Sequence, residues 1–128
     1  MKYSAFKSVV LAMGLILGLG AAQAEDAPKG EVALFLTIKT QDGQRDTLVD
    51  LWDKHLKMRA ADNADHVSYV FALDMNDPNT VYISEVYATQ AAFQTNSQSE
   101  WFGAYMAEVG PLLAGEPGFA MAMPHWVK

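Results

Sequence analysis

The stretch "HVSYVFALDMNDPNTVYISEVY", His66 to Tyr87, decides the fold. Its first part alternates, with Val67, Tyr69, Phe71 and Leu73 on one side and His66, Ser68, Val70 and Ala72 on the other, which is the period of a strand. "TVYISEVY" is a second strand, and the short "MNDPN" between the two leaves room only for a hairpin, so the pair is antiparallel. Upstream, Val32, Leu34, Leu36 and Ile38 alternate with Ala33, Phe35, Thr37 and Lys39 in a first strand covered on both faces. "TQDGQRD" punctuates it, with a turn at Asp42 and Gly43 and with Asp46 where a helix N-terminus favours negative charge. From Gln44 to Ala61 the stripe Leu48, Leu51, Trp52, His55, Arg59 predicts one amphipathic helix.

Downstream of the hairpin, Thr89 is placed to cap a short helix through Asn96, and Ser97 or Ser99 to restart a helix from Glu100 to about Val109. Gly110 and Pro111 interrupt it, and "GEPG" breaks the chain before a last strand, "FAMAMPHWV". The order β, α, β, β, α, β predicts an α+β fold, a ferredoxin-like antiparallel sheet with both helices on one face. The strands are apolar on both sides, so a homodimer with sheets packed face to face is expected to cover the second face.

The N-terminal residues stand apart from this domain. "MKYSAFK" carries two lysines, Val9 to Leu19 is an uncharged apolar run, and Ala22, Gln23, Ala24 has the small-x-small form that signal peptidase cuts. The run falls short of the roughly 20 residues of a bilayer span. The expected organisation is a cleaved secretory signal peptide over 1–24, a flexible leader over 25–30, and one domain over 31–128. The product is then periplasmic or secreted, without stable membrane insertion.

The chain has 9 basic and 15 acidic residues, for a net charge of −6, and loss of Lys2 and Lys7 would make it more acidic still. No basic face is available to displace counterions from phosphates, so nucleic acid is not an expected partner. There is no cysteine. Disulfides, thiol chemistry, iron–sulfur clusters and thiolate zinc sites are therefore excluded.

The stretch "VSYVFALDMNDPNTVYISEVYATQAAFQTNSQSEWFGAYMAEVGPLLAG" resembles the antibiotic biosynthesis monooxygenase domain family, dimeric α+β barrels that include quinol monooxygenases and haem-degrading enzymes. The resemblance rests on several short motifs taken in order. They are the strand with a small residue and Tyr, the "DP" hairpin, Glu85 and Tyr87 at a strand end, the Ala-Phe of the second helix, Ser99 with Phe102, and the "PLL" tail. It covers essentially Glu31 to Val127. It implies cofactor-independent oxygenation of a phenolic or quinol-like molecule, with a small aromatic compound and dioxygen as partners and no cofactor. Such chemistry needs an apolar pocket, a proton acceptor and polar groups for an oxyanion.

The chain also departs from the family pattern. Asn96 and Trp101 stand where family members often carry histidine. For the haem-degrading branch, the helical tryptophan and histidine fall on Asn96 and Met106, and the first strand "VALFLTIKT" has no asparagine, so that route is not expected. The alternative reading is a non-catalytic small-molecule-binding dimer that has lost the usual histidine bases.

Residue by residue, Glu85 sits in an otherwise apolar strand, where a carboxylate must be paired, at the rim or functional. It is the first candidate base. His125 alternates with Phe119, Met121 and Met123 and faces either the pocket or the dimer seam, and Asn96 is placed to hydrogen-bond an oxyanion. These three form the candidate catalytic set. Tyr69, Trp101, Tyr105 and Met121 form the candidate substrate-binding set, in which Trp101 would wall a planar ring and Tyr105 would relay a proton. His55 reads as a partly buried structural histidine and His66 as a residue near the sheet rim. No two histidines have a helical ligand spacing, so no metal site is expected.

Overall fold

A computed structural model describes residues 30–128. The proposed signal sequence and most of the leader lie outside the described residues. The hairpin forms as β2 (His66–Leu73) and β3 (Thr80–Tyr87), paired antiparallel. Its loop is built by carboxylates that replace missing backbone partners. Asp74 Oδ1 accepts from the backbone N–H groups of Asn76 and Asp77 at 2.7 Å, and Asp77 Oδ1 accepts from Asn79 N–H at 2.9 Å. Arg45, at the start of the first helix, then donates from Nη1 to the carbonyls of Asp74 and Asp77 at 2.9 Å each, locking the loop to the helical layer.

The first strand, β1 (Val32–Lys39), pairs antiparallel with β3 on one side and with β4 (Gly118–Ala122) on the other, giving the order β2-β3-β1-β4. The helices lie on one face, as an α+β ferredoxin-like fold requires. Within this open sheet Leu36 pairs with Ile83 and Ile38 with Val81, and both pairs point toward the helices. They meet Leu48, Leu56, Tyr105 and Val109 in the main core, where Leu48 and Val81 are fully buried. The opposite face leaves Phe35, Val70 and Tyr82 exposed at 50%, 52% and 43%.

Three features differ from the expectation. The single helix predicted over Gln44 to Ala61 is bent into α1 (Arg45–His55) and α2 (Lys57–Asp62) at Leu56, whose φ of −113° is off the helical value. The hydrogen-bond ladder runs through the bend, from Leu56 N–H to Trp52 O and from Ala60 N–H to Leu56 O, both 2.8 Å. Leu56 itself joins the core. The last strand stops at Ala122, opposite Ala33, so Met123 to Val127 are not part of the sheet. The third difference is a bulge in β2, described with the site.

The second helical half forms as predicted, as α3 (Gln90–Ser97) and α4 (Glu100–Val109). Thr89 accepts from Ala92 N–H at 3.0 Å, and Ser99 accepts from Phe102 N–H at 3.4 Å while donating to Asn96 O at 2.7 Å. A short 3-10 turn, Gly110–Leu112, follows where Gly110 and Pro111 end α4. No helix among the described residues is long and apolar enough to cross a membrane.

Candidate active site

A cavity of about 360 Å³ lies between the sheet and the helices, a volume at the lower end of the ligand-pocket range. Its floor comes from alternate residues of β1 and β3: Leu34 and Leu36 on one strand, Ile83, Glu85 and Tyr87 on the other. Its cover comes from the helices, with Arg59 on α2, Phe93 and Asn96 on α3, and Trp101, Phe102 and Tyr105 on α4. Phe119 of β4 closes one side. Most of this wall is apolar.

The polar exception is a connected chain at the β3 end. Asn96 Nδ2 donates to Tyr87 Oη at 2.7 Å, and Tyr87 Oη donates to Glu85 Oε1 at 3.5 Å. His66 Nε2 lies 3.4 Å from the same Glu85 oxygen. Both side chains are withdrawn from solvent, at 5% exposure for His66 and 14% for Glu85. The contact misses hydrogen-bond alignment, and both ring nitrogens of His66 remain buried without a hydrogen-bond partner. A buried polar group in that state points to a role other than packing.

His66 reaches the cavity because β2 carries a bulge. His66 pairs with Tyr87 and Ser68 with Val86, so Val67 is an extra residue between them. In a regular strand His66 and Tyr69 would face opposite sides. The inserted residue turns both toward the helices, with their rings edge-on at 5.3 Å. The imidazole also packs 4.3 Å from the Tyr87 ring. The expectation that His66 sits near the rim is therefore corrected.

The tyrosines keep their protons. Burial, followed by the negative charge of Glu85, pushes the Tyr69 and Tyr87 phenols far above the ordinary tyrosine value, and pushes Tyr105 up to about 12. Tyr69 Oη accepts from Trp52 Nε1 at 2.9 Å. None of the three is a proton acceptor at neutral pH, which leaves the Glu85–His66 pair as the basic element of the wall.

Of the residues singled out in the sequence, Glu85, Asn96, Tyr69, Trp101 and Tyr105 come together on this one wall. His125 does not. It is exposed beyond the end of β4 and is not among the cavity residues. Met121 lies opposite Leu34 in the sheet, is half exposed and is also outside the cavity lining. The residues that the sequence reading missed are His66, Tyr87 and Arg59. Only Tyr87, paired with Glu85 at a strand end, carried a visible signal. Among the described residues, no group of three or more His, Asp or Glu side chains is arranged to hold a metal ion.

The family model described as antibiotic biosynthesis monooxygenase matches residues 32–108. The chain belongs to this family. The match spans the whole Asn96–Tyr87–Glu85–His66 chain and ends before β4. The solved structures agree on the fold. A Chloroflexus aurantiacus protein described as a candidate antibiotic biosynthesis monooxygenase is 22% identical, with a TM-score of 0.65 over 76% of this chain and 95% of its own. A Caulobacter crescentus protein described in the same way is 19% identical, with a TM-score of 0.67 over 74% and 90%. A Nitrosomonas europaea protein of unknown function is 20% identical, with a TM-score of 0.67 over 80% and 96%. No curated protein matches the chain. At these identities the structural likeness shows the fold, and activity has to be argued from the site.

Proposed function

We propose that the protein is a cofactor-independent monooxygenase of the cell envelope, acting on a phenolic or quinol-like small molecule as a homodimer with its open sheet faces apposed. The observation that carries the activity is the setting of Glu85, a carboxylate on the wall of an apolar cavity with one oxygen engaged by His66 and Tyr87. A substrate hydroxyl directed at Glu85 gives its proton to the carboxylate. His66 stands beside Glu85 as a positioning residue, and its spare ring nitrogen gives the pair a second place to hold that proton.

The deprotonated ring then passes an electron to dioxygen, and the ring radical and superoxide combine to form a C–O bond. The same carbon releases its hydrogen as a proton and the O–O bond breaks. For a quinol, one oxygen atom stays on the ring, the other leaves as water, and the ring ends at the quinone level. The four electrons that dioxygen accepts all come from the substrate. Asn96 has one amide hydrogen on Tyr87 and a second free for an oxyanion. Apolar walls keep water from the radical pair.

The half-exposed Phe35, Val70 and Tyr82 support the dimer, since they put large apolar groups on one open face. The signal-like pattern of residues 1–24 supports export. Oxygen consumption by the purified protein with a panel of hydroquinones and polycyclic phenols tests the activity. Protein-dependent uptake that saturates with substrate supports it, and autoxidation alone across the panel contradicts it. Asn96 and Trp101, standing where family members often carry histidine, favour a second reading as a non-catalytic binding protein. Saturable quenching of tryptophan fluorescence without oxygen uptake would identify that case.

A further inference from the structure

Three side chains on the cavity wall can carry charge, and two of them, His66 and Glu85, face each other. The third, Arg59, has no carboxylate partner among the described residues. Asp53 is paired with Lys57 at 3.4 Å and Glu108 with His55 at 3.1 Å, while Asp62, on the same helix as Arg59, makes no ion pair with it. Arg59 is nevertheless held in place. Its Nε donates to the His55 carbonyl at 3.1 Å, and its Cζ lies 4.7 Å from the centroid of the Trp101 ring. These contacts fix the guanidinium plane, while Nη1 and Nη2 have no acceptor among the described residues.

Arg59 is exposed at the edge of the cavity, where a stacked planar fork with free donors matches the two oxygens of a carboxylate. The same wall holds Glu85, which repels an anion. A ligand carrying both a hydroxyl and a carboxylate therefore has one favoured orientation, with the carboxylate on Arg59 and the hydroxyl toward Glu85. The chain's net charge of −6 gives no long-range attraction for anions, so the selection falls on this one local cation.

Building on the proposed function, we propose that Arg59, braced on Trp101, is the seat for an anionic substituent, and that the substrate class is hydroxyaromatic carboxylic acids rather than neutral phenols. The test is isothermal titration calorimetry of the purified protein under anaerobic conditions with gentisate and its methyl ester, which share a ring and hydroxyls and differ in charge. Gentisate is expected to bind about tenfold more tightly, the scale of one charge-assisted contact. Arg59→Met is expected to erase that preference, so that acid and ester bind equally well. Arg59→Gln serves as the second variant if circular dichroism shows Arg59→Met misfolded.

Equal affinities for acid and ester in the unmodified protein would overturn the anion seat and leave the phenol-binding cavity standing. A preference that survives both substitutions would overturn the role of Arg59. Failure of both ligands to bind would overturn the inference and count against the proposed function as well.

Discussion

One face of β3 does two different things along its length. Val81 points into a dry core with Leu48, whereas Ile83, Glu85 and Tyr87, further along the same face, line a cavity with a polar chain. The backbone setting is the same in both halves, since each residue pairs in regular register with β1. The difference lies in the cover. Over the first half α1 brings Leu48 down onto the strand. Over the second half the bulged start of β2 and the short α3 bring in His66, Phe93 and Asn96 and leave space. One half of the strand is built for stability, and the other holds polar groups that a packed core would not tolerate.

That contrast can be broken by substitution. Leu48→Ala, in the packed half, is expected to cost about 3 kcal/mol by opening a void under β3, read as a lower midpoint in urea denaturation. A loss under about 1 kcal/mol would mean that this half is not tightly packed. The next effect is a pH dependence carried by the tyrosines. Tyr105 binds its proton up to about 12 in the folded chain and up to about 10 when unfolded, so the folded state holds more protons between these values. Stability is fully present below pH 10 and falls as pH rises, by about 2 to 3 kcal/mol for this group, with Tyr69 and Tyr87 adding in the same sense. Denaturation midpoints that do not change between pH 9 and pH 11.5 would contradict the buried placement, and Tyr105→Phe is expected to flatten the curve.

Smaller effects sharpen the comparison at its edges. Ser99→Ala removes the cap that starts α4 and is expected to cost about 1 kcal/mol, visible as a lower melting temperature. Glu85→Leu combined with His66→Leu is expected to change stability by less than about 1 kcal/mol, or to raise it, because it replaces the whole half-satisfied buried pair with apolar groups. A loss as large as that of Leu48→Ala would place the pair in the structural half.

The packed half was legible in the sequence because periodicity is a local property. Alternation gave β1, β2 and β3, and the hydroxyls of Thr89 and of Ser97 or Ser99 marked the helix starts, where the hydrogen bonds of Thr89 and Ser99 make these two the caps. Glu85 was legible as a charge out of place in an apolar strand. The site half depends on pairing between strands. The bulge at Val67 exists only in the two-against-one match of β2 with β3, so alternation placed His66 on the wrong face. The bend at Leu56 has no proline or glycine to announce it, yet it sets off α2, which carries Arg59. His125 was grouped with the site because "FAMAMPHWV" alternates to its end, whereas β4 stops at Ala122.

The measurement that bears most directly on the central claim is oxygen uptake by the unmodified protein and by Glu85→Gln, each with a saturating hydroquinone and each checked for ligand binding by tryptophan quenching. The cavity account predicts protein-dependent uptake that falls by about a hundredfold or more in Glu85→Gln, the scale of a lost proton acceptor, while binding is retained. Uptake that is unchanged in Glu85→Gln would contradict it.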